Sequence, residues 1–516
     1  TNQQGGATTG AGGATTAETT GAAETTGATG VETTAAETAA PTDQPASAQT
    51  AQANETATAE ATAETATAGE TATEVAAAET AAGTATAEET AAGTATAGAG
   101  PAVAAAGPKL NANVSGTIDF WHFWGSAVRR NAIRRVIAMC QQQLPNIEVN
   151  ETFKPFGDMY TAHLAAVAAG SGMADVIVED RPQLPARAAD QIDISLQEFA
   201  TRDGITGEEF WPFTWEQTLY EGQTYGIPYE TDVRVLYYNK TAFEEAGLDP
   251  NKPPTTWAEL EQYADKLDKK NGDTIERMGF SPLIGNVGPE VWAATNGVEL
   301  VNEQGQVKVN DPGMVETAQW IKKWLDRYGG FQNHQNFRAN FSAPPNDPFM
   351  SGKVAMHVDI NGYSSQLNFY RPRVTNAEGE EVEMQWGVAD IPYNKAKAST
   401  SGGFALSIPR GAKNVEPAWE FIKCATGPEA QASWARDTYA MPARVDAARD
   451  PVLLADPNWQ FFLNAMEYSS GGRFVPAYPN WGQELGNRYE AIWTGETEVQ
   501  AALDEAQQAI EAETGQ

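Results

Sequence analysis

Between residues 114 and 180 the apolar positions change period four times. "VSGTIDF" reads as a strand. "SAVRRNAIRRVIAMCQQQLPN" then sets Ile133, Val136, Ile137 and Cys140 at i, i+3, i+4 and i+7, one buried helical face with Ser126 as its cap. "IEVNETF" alternates as a second strand. "GDMYTAHLAAVAAGSG" follows as a helix with Tyr160, Leu164 and Val167 inward and Gly170 closing it. "ADVIVED" is a short apolar run of the kind buried in a parallel sheet. Strand, helix, strand, helix, strand predicts two βαβ units with right-handed crossovers. The carboxyl ends of the three strands then share one edge, where open α/β sheets bind ligands.

That edge receives a notable set of side chains. The first strand delivers "FWHFWGS", with Trp121, His122, Phe123 and Trp124, and the third delivers Glu179, Asp180 and Arg181. Alternation sends Trp121 and Phe123 one way and His122 and Trp124 the other. Trp124, just before the Gly125 break, is expected to be the more exposed ring.

Further along, Thr256 and Glu259 in "PPTTWAEL" form a capping box, and Pro253-Pro254 stop any helix entering from upstream. "MVETAQWIKKWLDRYGG" places Val315, Trp320 and Trp324 on a helix ended by Gly329-Gly330. "KVAMHVDI" and "GGFALSIP" read as strands and "VQAALDEAQQAIEAE" as a terminal helix.

Composition divides the 516 residues in two. Residues 1–108 are nearly all Ala, Thr, Glu and Gly, with thirteen acids and no Lys or Arg. So little apolar surface cannot offset chain entropy, so this segment is expected to be a disordered tether, either plain or glycosylated. The remainder carries 55 acids against 34 bases. A surface of that sign excludes nucleic acid as a partner, since phosphate binding needs a basic face. Cys140 and Cys424 both lie in amphipathic helical patterns. Two buried free thiols are the first expectation, and a single long-range disulfide is the alternative. No apolar run is long enough to span a membrane. The sequence starts at Thr1, so any export signal or lipid-bearing residue would lie outside it.

Catalytic signatures are missing. There is no G-x-S-x-G, no glycine-rich phosphate loop, and His122, His163, His334 and His357 are scattered singles. Glu230 and Asp232 have the look of a glycosidase pair, but two carboxylates two apart on a strand point the same way and nothing completes the site. A binding protein is expected, with no cofactor and no metal site.

Residues 222–267, "GQTYGIPYETDVRVLYYNKTAFEEAGLDPNKPPTTWAELEQYADKL", carry a specific likeness. Their order and spacing, with "FMSGKVAMHVDINGY", "GVADIPY", "SGGFALSIPRGAKN", "AWEFIKCATGPEAQ" and "YAMPAR", resemble the extracellular solute-binding proteins of ABC importers, the family that includes maltose-binding protein. The likeness covers roughly residues 114 to 510. It implies a two-lobed α/β fold of the periplasmic-binding-protein type, with a hinge and an interlobe cleft, preceded by the tail. On this expectation the N-terminal lobe holds 109–230 and 354–400, and the C-terminal lobe holds 231–353 and 401–516. The chain would cross between lobes near "PYETDV" and near "DIPYNKAKASTSGG".

The resemblance also implies a carbohydrate ligand, a membrane permease partner, a monomer, and a location outside the cytoplasmic membrane. Sugar faces stack on aromatic rings, and hydroxyls take carboxylates and amides. Candidate contacts in the first lobe and crossings are Trp121, Trp124, Glu179, Asp180, Glu230, Asp232, Asn361, Tyr363, Gly402 and Gly403. Those of the second lobe are Asn286, Glu290, Tyr478 and Trp481. Tyr363 stands where maltose-binding protein has Trp, which argues against a maltodextrin. Arg181, Arg234 and Arg444 keep a glycerol phosphodiester or polyol as the alternative ligand. A stalked surface adhesion or scaffold protein reusing the fold is the remote alternative.

Overall fold

The computed structural model describes residues 107–514, apart from 273, 303, 473, 474, 476, 477, 479 and 480. The expected tether at 1–108 lies almost wholly outside the described residues.

The first lobe opens as its periodicity predicts. β1 (Gly116–His122), β2 (Ile147–Phe153) and β3 (Val176–Asp180) are parallel, with β1 between the other two. The helix Ala127–Gln143 is capped by the Ser126 side chain and buries Ile133, Val136, Ile137 and Cys140. The helix Phe156–Ala169 ends at Gly170 in the left-handed conformation. It buries Tyr160, His163 and Val167, so His163 occupies the inward face on which Leu164 is only half-buried.

A small hairpin, β4 (Leu219–Tyr220) and β5 (Gln223–Thr224), leads to β6 (Ile227–Thr231) in the same sheet. The chain then leaves. β7 (Arg234–Asn239) belongs to a second, five-stranded sheet with β8 (Lys269–Asn271), β9 (Thr274–Gly285), β10 (Val354–Ile360) and β13 (Trp386–Ala389). β11 (Arg373–Thr375) and β12 (Glu381–Glu383) form a separate hairpin. β14 (Ser399–Ser401) marks the return, and β15 (Gly403–Ser407) enters the first sheet between β3 and β6. β16 (Met441–Pro442) closes that sheet beside β6, and β17 (Ser469–Gly471) pairs with β14.

The expected lobe boundaries are therefore corrected. The chain crosses at residues 231–234 and 399–403, but the segments between crossings exchange places. Residues 354–360 and 386–389 pair with β7 in the second sheet, not the first. Residues 403–442 build the first lobe, where the helices Val415–Ala425 and Pro428–Thr438 bury Trp419, Phe421 and Trp434 among the residues of β1 and β3. After a third crossing, the helices Pro457–Ala465, Trp481–Thr494 and Val499–Thr514 return to the second lobe. The reason is pairing: β10 is buried on both faces, and its run of Val, Ala, Met and Val reads the same whichever sheet receives it.

The two cysteines form a disulfide between the helices Ala127–Gln143 and Val415–Ala425, which overturns the free-thiol expectation. The two residues are 284 apart in sequence. Both helices pack on the first sheet, which brings their sulfur atoms together. Closing so long a loop in the unfolded chain is worth about 5–6 kcal/mol in the chain-entropy account. No helix among the described residues is long and apolar enough to cross a membrane.

Candidate functional site

The first two crossings run side by side, with the Arg234 N–H donating to Ser399 Oγ at 3.1 Å, and charged residues gather around them. β3 ends at Asp180, and Arg181 turns from it toward the crossing strands. Arg181 is fully buried. Its Nη2 donates to Thr231 Oγ1 at 3.2 Å and to the Gly402 carbonyl, while Nε and Nη1 have no partner among the described residues. Burial pulls the guanidinium down to about 10, and Asp232, Asp180 and Glu230 hold it charged.

Arg234, at the start of β7, is the other cation. Its Nε donates to the Asn286 carbonyl and its Nη2 to Asn286 Oδ1, both at 2.9 Å. Nη1 reaches Asp232 Oδ1 at 3.0 Å and the Thr400 carbonyl at 3.1 Å. Asp232 in turn accepts the Gly402 N–H at 3.0 Å. One guanidinium thus ties the first crossing, the second crossing and a second-lobe loop together. Asp180 lies within the field of Arg181, Asp232 and Arg234, and burial pushes its carboxyl up to about 6. Glu290 stands on the first turn of the helix Pro289–Thr295 and is exposed. Desolvation raises its carboxyl, opposed first by its own backbone N–H and then by Arg234. Tyr489, on the helix Trp481–Thr494, shares this region, and its phenol is raised chiefly by burial and then by Glu290.

The structure therefore brings Asp180, Asp232, Asn286, Glu290 and Gly402 together around Arg181 and Arg234. Other candidates are placed elsewhere. Trp124 is fully buried, against Trp434 at 4.5 Å, Tyr229 at 5.3 Å and His122 at 5.6 Å, so it is not the exposed ring. β1 ends at His122, and the helix Pro428–Thr438 covers the turn that follows. Trp121 is the half-buried one, with Lys154 Nζ over its face at 4.5 Å. Glu230 is buried beneath Trp124 and accepts the Trp434 indole N–H, so it is a core carboxylate whose burial raises its pKa.

Glu179 faces away from the crossings because adjacent strand residues point to opposite sides of a sheet. Asn361 is buried beside the first crossing, where its Oδ1 accepts Val233 N–H at 3.0 Å and its Nδ2 donates to the Tyr439 carbonyl. Tyr363 is buried in the second lobe and donates to Asp347 Oδ1 at 2.8 Å, so it offers no stacking face. Gly403 has φ +117°, and a Cβ there would lie 2.4 Å from the Glu230 carbonyl and 3.0 Å from Arg181 Nη2. It serves the close approach of β15 to β6 rather than of backbone to a ligand. Tyr478 and Trp481 pack, half-buried, against the second-lobe core. Arg444 is buried and held by Asp446 in two bonds of 3.0 and 2.9 Å.

Sequence reasoning singled out Arg234 only for an anionic ligand and missed Tyr489. Arg234 sits in an apolar strand pattern, where a lone Arg is the one available signal. Tyr489 carries none, because Glu290 is remote in sequence.

Comparison with known proteins gives a consistent picture. The family model of the bacterial extracellular solute-binding proteins matches residues 135–460. The sn-glycerol-3-phosphate-binding periplasmic protein UgpB of Escherichia coli K12 is 25% identical over 428 residues, 77% of this chain and 92% of that one. The solved structure of CpMnBP1 with mannotriose bound is 29% identical, with a TM-score of 0.67, and covers 77% of this chain and 99% of its own. The acarbose-binding GacH receptor of Streptomyces glaucescens shares the fold at 22% identity and a TM-score of 0.65, covering 78% and 99%.

Proposed function

Because the chain belongs to the bacterial extracellular solute-binding proteins, we propose that it is the receptor subunit of an ABC importer and captures a carbohydrate between its lobes. The observation that carries this reading is the convergence of Asp180, Arg181, Asp232, Asn286 and Glu290, from both lobes, on the crossing segments. Carboxylates, an amide and a guanidinium are the groups that read a rim of sugar hydroxyls. The likeness to a mannotriose-bound protein supports the same ligand class. A sugar that touches both lobes binds the closed form better, so it shifts the population toward closure about the crossings. The permease in the membrane then reads the closed shape. The protein acts as a monomer outside the cytoplasmic membrane, and the Thr-rich segment, on its composition, serves as the spacer.

A small organophosphate is the second reading, favoured by the glycerol-3-phosphate relatives and by the two Arg181 nitrogens that have no partner among the described residues. Charge weighs against it. The cluster sets Asp180, Asp232 and Glu290 against Arg181 and Arg234, and Arg234 is already saturated by protein acceptors. Isothermal calorimetry and thermal-shift assays with mannobiose, mannotriose, maltose and sn-glycerol 3-phosphate separate the readings. Binding of an oligosaccharide, lost in Asp232→Ala, is expected. Binding of the phosphate alone transfers the assignment to the second reading, and no binding across a broad sugar panel overturns the first.

A further inference from the structure

On the face of β3 turned away from the crossings, three side chains from separate parts of the chain meet. His163 comes from the helix Phe156–Ala169, Glu179 from β3, and Asp193 from the loop after the helix Leu184–Ala189. Each offers one donor atom, and the three atoms lie within 4.8 Å of one another. His163 Nε2 is 3.3 Å from Glu179 Oε1 and 3.5 Å from Asp193 Oδ1, and all three side chains are 0% exposed. Neither ring nitrogen and none of the four carboxylate oxygens completes a hydrogen bond among the described residues.

Two carboxylates sealed from water are costly without a compensating cation. The protein supplies one in part: Arg187 Nε stands 4.0 Å from Glu179 Oε2, also without a hydrogen bond. Tyr160, whose phenol lies in the field of Glu179, is committed to the Val178 carbonyl at 3.2 Å. One guanidinium balances one of the two acids, and Asp180 adds further negative field.

The geometry points to a binding site for one divalent transition-metal ion of the zinc class, held by His163 Nε2, Glu179 and Asp193. Zinc bonds of about 2.0–2.1 Å in a tetrahedron put donor atoms roughly 3.3 Å apart, close to both separations found here. A direct hydrogen bond between such groups would draw them to about 2.8 Å. A proton on Nε2 serves one or two oxygens and adds a single charge. A metal ion serves all three donors at once and adds two charges. The second oxygen of either carboxylate is at hand to complete the coordination. The ion would be structural. It would pin the helix, the strand and the loop beneath Asp180 and Arg181, and its presence does not depend on which ligand the cleft takes.

The test uses the full chain, refolded with excess Zn²⁺, desalted, and compared with protein treated with EDTA. One zinc per chain by inductively coupled plasma mass spectrometry, and a Tm several degrees above the EDTA-treated form, are expected. His163→Gln and, independently, Asp193→Asn should lose both the zinc and the rise in Tm. Their metal-free Tm should be no lower than that of the wild type, because each removes a buried group without a partner. Wild-type protein that carries no zinc, or zinc retained in both variants, overturns the site. A zinc-free wild type whose stability falls as pH rises, with His163→Gln insensitive, assigns the cluster to a bound proton and overturns it equally.

Discussion

Arg234→Ala probes the junction most directly. The wild-type guanidinium is 8% exposed and donates four bonds of 2.9, 2.9, 3.0 and 3.1 Å to Asn286, Asp232 and Thr400. Truncation leaves two carbonyls and the Asn286 amide oxygen without these donors and leaves Asp232 without its cation. Breaking a buried ion pair by removing one partner costs about 3–5 kcal/mol. The Asp232 side chain keeps 17% exposure and the Gly402 N–H, so water and backbone recover part of that loss. The expected cost is about 3 kcal/mol, the lower end of the range. Arg234→Lys should recover less than half of it, since an ammonium cannot span the same fork of acceptors. Urea denaturation, followed by tryptophan fluorescence and far-ultraviolet circular dichroism, measures both variants. A cost below about 1 kcal/mol for Arg234→Ala, the size of an exposed ion pair, would refute the view of Arg234 as the clamp of the crossings.

Two further outcomes follow from buried groups. Trp124→Ala should cost about 3–5 kcal/mol in urea denaturation, as for other buried aromatic truncations, with sugar affinity unchanged in the folded fraction; weakened affinity without lost stability would return the ring to the cleft. Asp359 is buried and its carboxyl is pushed up to about 7, first by burial and also by Asp347, against the Ile360 and Asn286 N–H groups and Arg234. The native state therefore binds more protons than the unfolded chain, so this contribution is full below about pH 4 and is lost as pH rises through about 7. It is worth up to about 4 kcal/mol. Asp359→Asn should flatten that part of the stability profile relative to wild type, and identical profiles would show that Asp359 ionises freely.

Legibility in the sequence followed range. The opening strands and helices were readable because a period of 2.0 or 3.6 residues is set by neighbours in the chain. The crossings were readable through the family likeness of "PYETDV" and "DIPYNKAKASTSGG". Partnership was not. "KVAMHVDI" is a strand in either sheet, so only pairing with β7 and β9 assigned it to the second lobe. Glu179 and Asp180 looked equivalent as candidates, and the pleat sent them to opposite faces. His163 occupies a buried helical position beside Tyr160 and Val167, but a reading of apolar residues alone chose Leu164 for that face.

The amino-acid sequence by itself determined the local elements, the acidic surface and the membership of a two-lobed binding family. Tertiary structure alone decided four matters: which segments share a lobe, that Cys140 meets Cys424, that Trp124 is core, and that His163, Glu179 and Asp193 converge. The physical reason is common to all four. Each depends on contacts between residues far apart in the chain, and their energy comes from burial and pairing that no local pattern records.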